Sequence, residues 1–126
     1  MTVRTIARES WSTELDSFSR QHEGWIVSVK TRAPDGRVAV QARNLPLEGI
    51  SRAAPDSSDI AILVGDQQTH LSHDVRNPVS VKVELTADQA ERALIIDSND
   101  GTTTTVEFRS PMRPEEVDGL PSVGHG

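Results

Sequence analysis

The chain has 126 residues, 35% hydrophobic and 25% charged, which fits one folded domain and is unlike a disordered segment. With 13 Lys and Arg against 19 Asp and Glu, a net charge of −6, and only two Trp and two Phe, it lacks the basic and aromatic surface that nucleic acids and anionic membranes select. The absence of cysteine excludes disulfides, thiolate metal sites and cysteine nucleophiles.

Met1 to Glu9 lacks the apolar stretch of a secretory signal, and the longest apolar run, Ile60 to Val64, is far too short to span a bilayer. A cytoplasmic location is therefore expected. From Ser10 to Glu23 the spacing predicts an amphipathic helix, because Trp11, Leu15, Phe18 and His22 share one stripe. Ser10 is the expected N-cap; Glu9, Glu14 and Asp16 suit the positive end of the helix, and Arg20 and His22 the other. Gly24 stands where a left-handed C-terminal residue is expected.

Period two then takes over. Trp25, Val27, Val29 and Thr31 share one face of a strand, and Ile26, Ser28, Lys30 and Arg32 the other. Pro34-Asp35-Gly36 is turn chemistry, and Arg37 to Arg43 continues as a second strand with Val38, Val40 and Ala42 inward. Asn44 to Ile50 interrupts it and reads as a kink leading to an edge or corner strand, since Pro46 has no ladder donor and Gly49 permits a bend. Further strands are expected at Asp59 to Gly65, Thr69 to Val75, Val79 to Leu85, Ala93 to Asp97 and Thr102 to Arg109. Thr86 to Arg92 reads as a loop, and Ser98-Asn99-Asp100-Gly101 as a hairpin turn.

The predicted fold is mainly β (α+β): an N-terminal helix, then roughly seven or eight antiparallel strands as a small barrel or a bent two-layer sheet. The helix covers one open end or face, where Trp11, Phe18 and Trp25 meet. One domain is expected over 4–114, with a disordered tail at 115–126.

Four strings carry a resemblance: Phe18-Ser19-Arg20-Gln21-His22-Glu23-Gly24-Trp25; Leu45-Pro46-Leu47-Glu48-Gly49-Ile50-Ser51; Ile60-Ala61-Ile62-Leu63-Val64-Gly65-Asp66; and Asp100-Gly101-Thr102-Thr103-Thr104-Thr105-Val106-Glu107-Phe108-Arg109-Ser110-Pro111. Together they resemble a family of small bacterial proteins known only as a domain of unknown function, over about Arg4 to Asp118. The resemblance implies a bacterial, stand-alone, single-domain protein and brings no catalytic residues with it.

The candidate sites each have two readings. His70 and His73 lie three apart on a strand and so point to opposite faces, which argues against a shared metal and for one histidine turned inward. His22-Glu23 beside Trp25 reads either as an acid–base pair or as a helix-terminal histidine next to a core tryptophan. Lys30, Arg32, Arg37 and Arg43 form either a basic strip for an anionic ligand or acidic partner, or a solvated sheet face. Glu48 stands either at a pocket rim or at a structural corner. No metal, cofactor or catalytic residue is expected, and the familiar hydrolase, phosphate-loop and zinc-protease signatures are missing.

Two functions fit these residues. The first is a non-catalytic binding module of the bacterial cytoplasm, contacting an unknown protein or small anionic ligand through Lys30, Arg37, Arg43, Glu48, His70 and His73. Such a module has a strand edge through which a homodimer would form. The second is a small barrel that binds a ligand or acts as an enzyme, with a pocket near His22, Trp25 and Glu48.

Overall fold

In the computed structural model the described residues are 2–53, 57–66 and 68–112; the expected tail at 115–126 lies outside them. The predicted helix forms as α1 (Trp11–Gln21), entered through a short 3-10 turn at Arg8–Ser10. Trp11, Leu15 and Phe18 are buried, as their spacing requires. Ser10 is not the cap expected of it: its backbone is already helical, and its side chain makes no capping bond. The preceding 3-10 turn has taken over the entry. At the other end Gly24 has φ +86°, the left-handed conformation that a glycine takes without penalty.

Among the described residues eight strands share one antiparallel plan. They are β1 (Thr2–Ile6), β2 (Ile26–Arg32), β3 (Val38–Arg52), β4 (Ile60–Gly65), β5 (His70–Val75), β6 (Pro78–Leu85), β7 (Glu91–Ser98) and β8 (Thr103–Met112). Their order in the sheet is β1-β6-β7-β8-β2-β3-β4-β5. Strand β1 is the one the periodicity does not announce. Only Ile6 of its five residues is buried, so an alternating pattern has nothing to register.

The sheet does not close into a barrel: β1 and β5 stand at its two edges. It nevertheless curls. Only Arg76 and Asn77 separate the end of β5 from the start of β6, although these strands lie near opposite ends of the order. So short a link holds the two ends of the sheet close together. The core agrees, because Ile60, Ile62 and Val64 belong to the same apolar cluster as Val81, Val83, Leu94 and Ile96. The helix packs into this curl against β3, where Ser19 Oγ accepts from Ile50 N–H at 2.7 Å.

Strand β3 departs most from expectation. Leu45 to Ile50 is not a kink before a separate edge strand but part of one 15-residue strand, which pairs β2 through its first part and β4 through its second. Register shifts between Val27 and Val29 and between Val29 and Lys30 mark bulges in it. Each one-residue slip moves side chains to the opposite face. Val38 and Val40, expected inward, are therefore 61% and 42% exposed, while Ala42 is buried. Asn44, at φ 52°, takes the left-handed turn of the bulge opposite Val27 and Val29, and its N–H donates to Ser28 Oγ. A similar shift between Pro78 and Ser80 turns Val79 outward, so the predicted alternation of β6 holds only from Val81. Val38→Ser and Val40→Ser are expected to change stability by less than about 0.5 kcal/mol in urea denaturation, as exposed sites do. A loss above about 1.5 kcal/mol would restore the inward assignment.

No helix among the described residues is long and apolar enough to cross a membrane.

Candidate functional site

His22 is sealed at the exit of α1, fully buried. Its ring lies 4.3 Å from Phe18, 4.6 Å from Phe108 and 4.9 Å from Trp25, centroid to centroid. The expected meeting of Trp11, Phe18 and Trp25 forms only in part: His22 and Phe108 join Phe18 and Trp25, while Trp11 stands at the start of the helix, where its indole N–H donates to Ile6 O at 3.1 Å. Gly24 N–H donates to Leu47 O and Leu47 N–H to Trp25 O, both at 2.8 Å, which ties the helix exit to β3. His22 Nδ1 lies 2.8 Å from Phe18 O. A carbonyl only accepts, so Nδ1 carries the proton there, and Nε2 is left to face a second group.

That group is Glu91. Its Oε1 lies 3.0 Å from His22 Nε2, yet neither atom completes a hydrogen bond among the described residues. The separation is that of a close polar contact, but the geometry lacks the alignment that a hydrogen bond needs. Two irregularities aim the carboxylate inward. On one side Leu85 pairs with Glu91 and Glu84 with Ala93, leaving Arg92 as the extra residue of a bulge. On the other, Glu91 pairs with Met112 and Ala93 with Glu107. Arg92 is turned out to Glu84 at 3.5 Å, and Glu91 takes the interior position.

A cleft of about 380 Å³ opens over Glu91, between α1 and the sheet. Ile6, Phe18, Val83 and Leu85 give it an apolar wall. Arg4 and Glu14 lie at its rim, in a loose ion pair at 3.7 Å. Gln21 and Gln89 add neutral polar groups, and Gln89 holds a left-handed backbone with φ 71°. Such strain in a non-glycine residue recurs at ligand-contacting sites.

The structure separates several residues that the sequence pattern grouped. Glu48 does not join His22 and Trp25; it pairs with His70 Nδ1 at 2.7 Å, both side chains open to solvent. Glu23, the adjacent carboxylate, is exposed and takes no part. His70 and His73 do point to opposite faces of β5, His70 outward and His73 half-buried, as their spacing implies. The basic strip is largely neutralised. Lys30 pairs with Glu107 at 3.0 Å, Arg37 folds back on Asp35 within the turn at 2.8 Å, and Arg43 is exposed on the bulged stretch of β3. Further along the same outer face, Lys82 pairs with Asp97 at 2.9 Å. Burial pushes the Asp97 carboxyl up, but bonds from Lys82, Ser80 and Thr103 outweigh it and hold the group below its usual range. Among the described residues, no three His, Asp or Glu side chains gather as a metal would require.

A second cleft, of about 300 Å³, lies away from the helix and includes His73. Inward positions change character along the strands: Val27 and Val29 give way to Thr31 on β2, and Phe108 and Val106 to Thr104 on β8. The curl is thus apolar where α1 fills it and polar where it opens. Gln41 Nε2 donates to Thr31 Oγ1 at 3.0 Å on that polar lining, where Asp74, Arg76 and Asp100 are the charged groups. Burial holds the His73 imidazole below its ordinary value of 6.5, and the Asp74 carboxylate opposes this more weakly. Above about pH 6.5 the group is neutral whether the chain is folded or not. As pH falls below that, the unfolded chain gains a proton that the fold resists, and stability drops. His73→Gln is expected to flatten this acid-side decline in urea denaturation. Identical slopes in the two proteins would show that His73 does not cause it.

The family model described as Family of unknown function (DUF5335) matches residues 2–117 of the chain. No curated protein and no solved structure matches.

Proposed function

The chain belongs to that family of unknown function, and we propose that it is a non-catalytic domain that binds a small polar ligand in the cleft between α1 and the sheet. One observation carries this: a carboxylate, Glu91, is turned inward by a bulge, nine-tenths buried, and set in the lining of a cleft with Arg4 and Glu14, its Oε1 against His22 Nε2 at 3.0 Å. The volume of about 380 Å³ lies at the small end of ligand pockets. His22 acts as a positioning residue, since it is sealed away from the cleft and touches Glu91 from behind. On this proposal α1 is an amphipathic lid whose apolar stripe enters the core while Glu14, Ser17 and Gln21 face the ligand. The domain itself is placed in the cytoplasm, in keeping with a chain free of cysteine.

The test is a thermal-shift screen of polar metabolites on the wild-type chain and on Ser17→Trp, which fills the cleft from a half-buried helix position. Compounds that bind only the folded form raise its melting temperature. Hits are expected in the wild type and not in the variant. A silent screen, or hits that survive Ser17→Trp, would remove the cleft from consideration.

A further inference from the structure

We infer that β5 pairs edge to edge with β5 of a second copy of this chain, antiparallel, on a two-fold axis through Ser72. The hydrogen-bond phase of the strand supports this first. Strand β5 lies at one end of the strand order and pairs only with β4 among the described residues. Where the chain turns between these strands, Asp66 N–H donates to Thr69 O at 2.8 Å, which makes Asp66 and Thr69 a hydrogen-bonded pair. Such pairs alternate along an antiparallel ladder, so Leu71, His73 and Val75 direct their backbone groups at β4. On the far side of β4, Ala53 N–H donates to Asp59 O, and alternation counted from there gives the same phase. His70, Ser72 and Asp74 therefore turn their N–H and C=O groups away from β4, to the open edge.

An axis at Ser72 sets these residues against one another, Ser72 on Ser72 and His70 on Asp74 in both directions. About six backbone hydrogen bonds then form, and every edge group of the strand is used. The side chains agree with that register. His70, Ser72 and Asp74 share the outer face and are all exposed. An imidazole thus faces a carboxylate at either end of the pair, a favourable cross-strand match. His70 turns Nδ1 to Glu48, and its side chain, 65% exposed, keeps Nε2 open. On the other face Leu71 is 41% exposed although Val64 beside it is buried, and His73 of the second copy comes to lie across from it. The strand is also undefended: no bulge interrupts its pairing with β4, and it holds neither proline nor lysine, the usual devices against edge association. The opposite edge suits a copy less, since the same operation on the middle of β1 sets Arg4 against Arg4.

Sedimentation equilibrium of the full chain tests the contact. An edge this short buries less than a standard interface, so a reversible dimer with Kd of roughly 10–100 µM is expected. Ser72→Pro removes an N–H that β4 does not use, and is expected to raise Kd roughly tenfold with the circular dichroism unchanged. His70→Asp sets carboxylate against carboxylate and is expected to weaken the dimer roughly tenfold, and His70→Asp/Asp74→Arg to restore it. Register is read with cysteine, which the wild-type chain lacks. Ser72→Cys is expected to give a covalent dimer under mild oxidation, because Cα atoms of a hydrogen-bonded pair stand about 5.5 Å apart, within disulfide reach. His70→Cys is not, its two copies being roughly 14 Å apart in this register. A chain monomeric up to about 1 mM, a dimer indifferent to Ser72→Pro, or Ser72→Cys crosslinking no faster than His70→Cys overturns the inference. Should Ser72→Pro not fold, a dimer that His70→Asp leaves intact, or that the double variant fails to restore, overturns it equally.

Discussion

His22→Leu alone is expected to cost about 3–5 kcal/mol of folding stability, and the double variant His22→Leu/Glu91→Leu much less. The single change leaves the Glu91 carboxylate nine-tenths buried without the polar imidazole that stands 3.0 Å behind it. It also strips the Phe18 carbonyl of the bond from Nδ1. Glu91→Leu leaves the complementary fault, an imidazole sealed among three aromatic rings with Nε2 facing hydrocarbon. Removing both together leaves no orphan between them, and leucine approximates either side chain in volume. Apolar replacement of a whole buried pair is often neutral or stabilising. Urea denaturation of the four proteins yields the coupling energy directly, and a value above about 2 kcal/mol is expected. Additive losses would mean that the two residues are neighbours without being partners. Glu91 opens slightly onto the cleft, so its single variant should be the milder of the two.

That pair also marks the limit of what the sequence discloses. The apolar positions of α1, β2, β6, β7 and β8 are legible because each repeats at the period of its own element. Val27, Val29, Val81, Val83, Val106 and Phe108 all face the interior. Bulges are what erase the signal. Carried back from Leu94 and Ile96, regular alternation buries Arg92 and exposes Glu91; the bulge reverses both, and nothing in Ala90-Glu91-Arg92-Ala93 marks where the extra residue falls. The only hint is physical: an unbulged strand would force a guanidinium into an apolar core. The same blindness misplaces Val38 and Val40, although Asn44, a residue that tolerates the left-handed region, is a local sign of irregularity. His22 is legible as a member of the helix stripe, but its partner lies 69 positions away, on a strand whose register no local pattern sets.

Leu15→Ala is expected to cost about 2–5 kcal/mol, toward the upper end for a leucine truncation. The reason lies in how the sheet ends. Without hydrogen bonds between β1 and β5, the curl is held by the two-residue link from β5 to β6 and by whatever fills its interior. Leu15 is 1% exposed at the middle of α1, in the same cluster as Ile60 and Ile62 from one end of the sheet and Val81 and Leu94 from the other. A hole made there opens inside that one cluster, beneath the helix. The helix is pinned on either side, by Trp11 Nε1 on Ile6 O and by Ser19 Oγ on the backbone of Ile50. Walls fixed in this way cannot collapse to fill the gap, which is the condition under which cavities cost most. Urea denaturation tracked by the fluorescence of Trp11 and Trp25 reports from both ends of α1. A single transition at lower urea with unchanged slope is expected. A loss below about 1 kcal/mol, or two transitions, would show that α1 lies on the sheet without closing it.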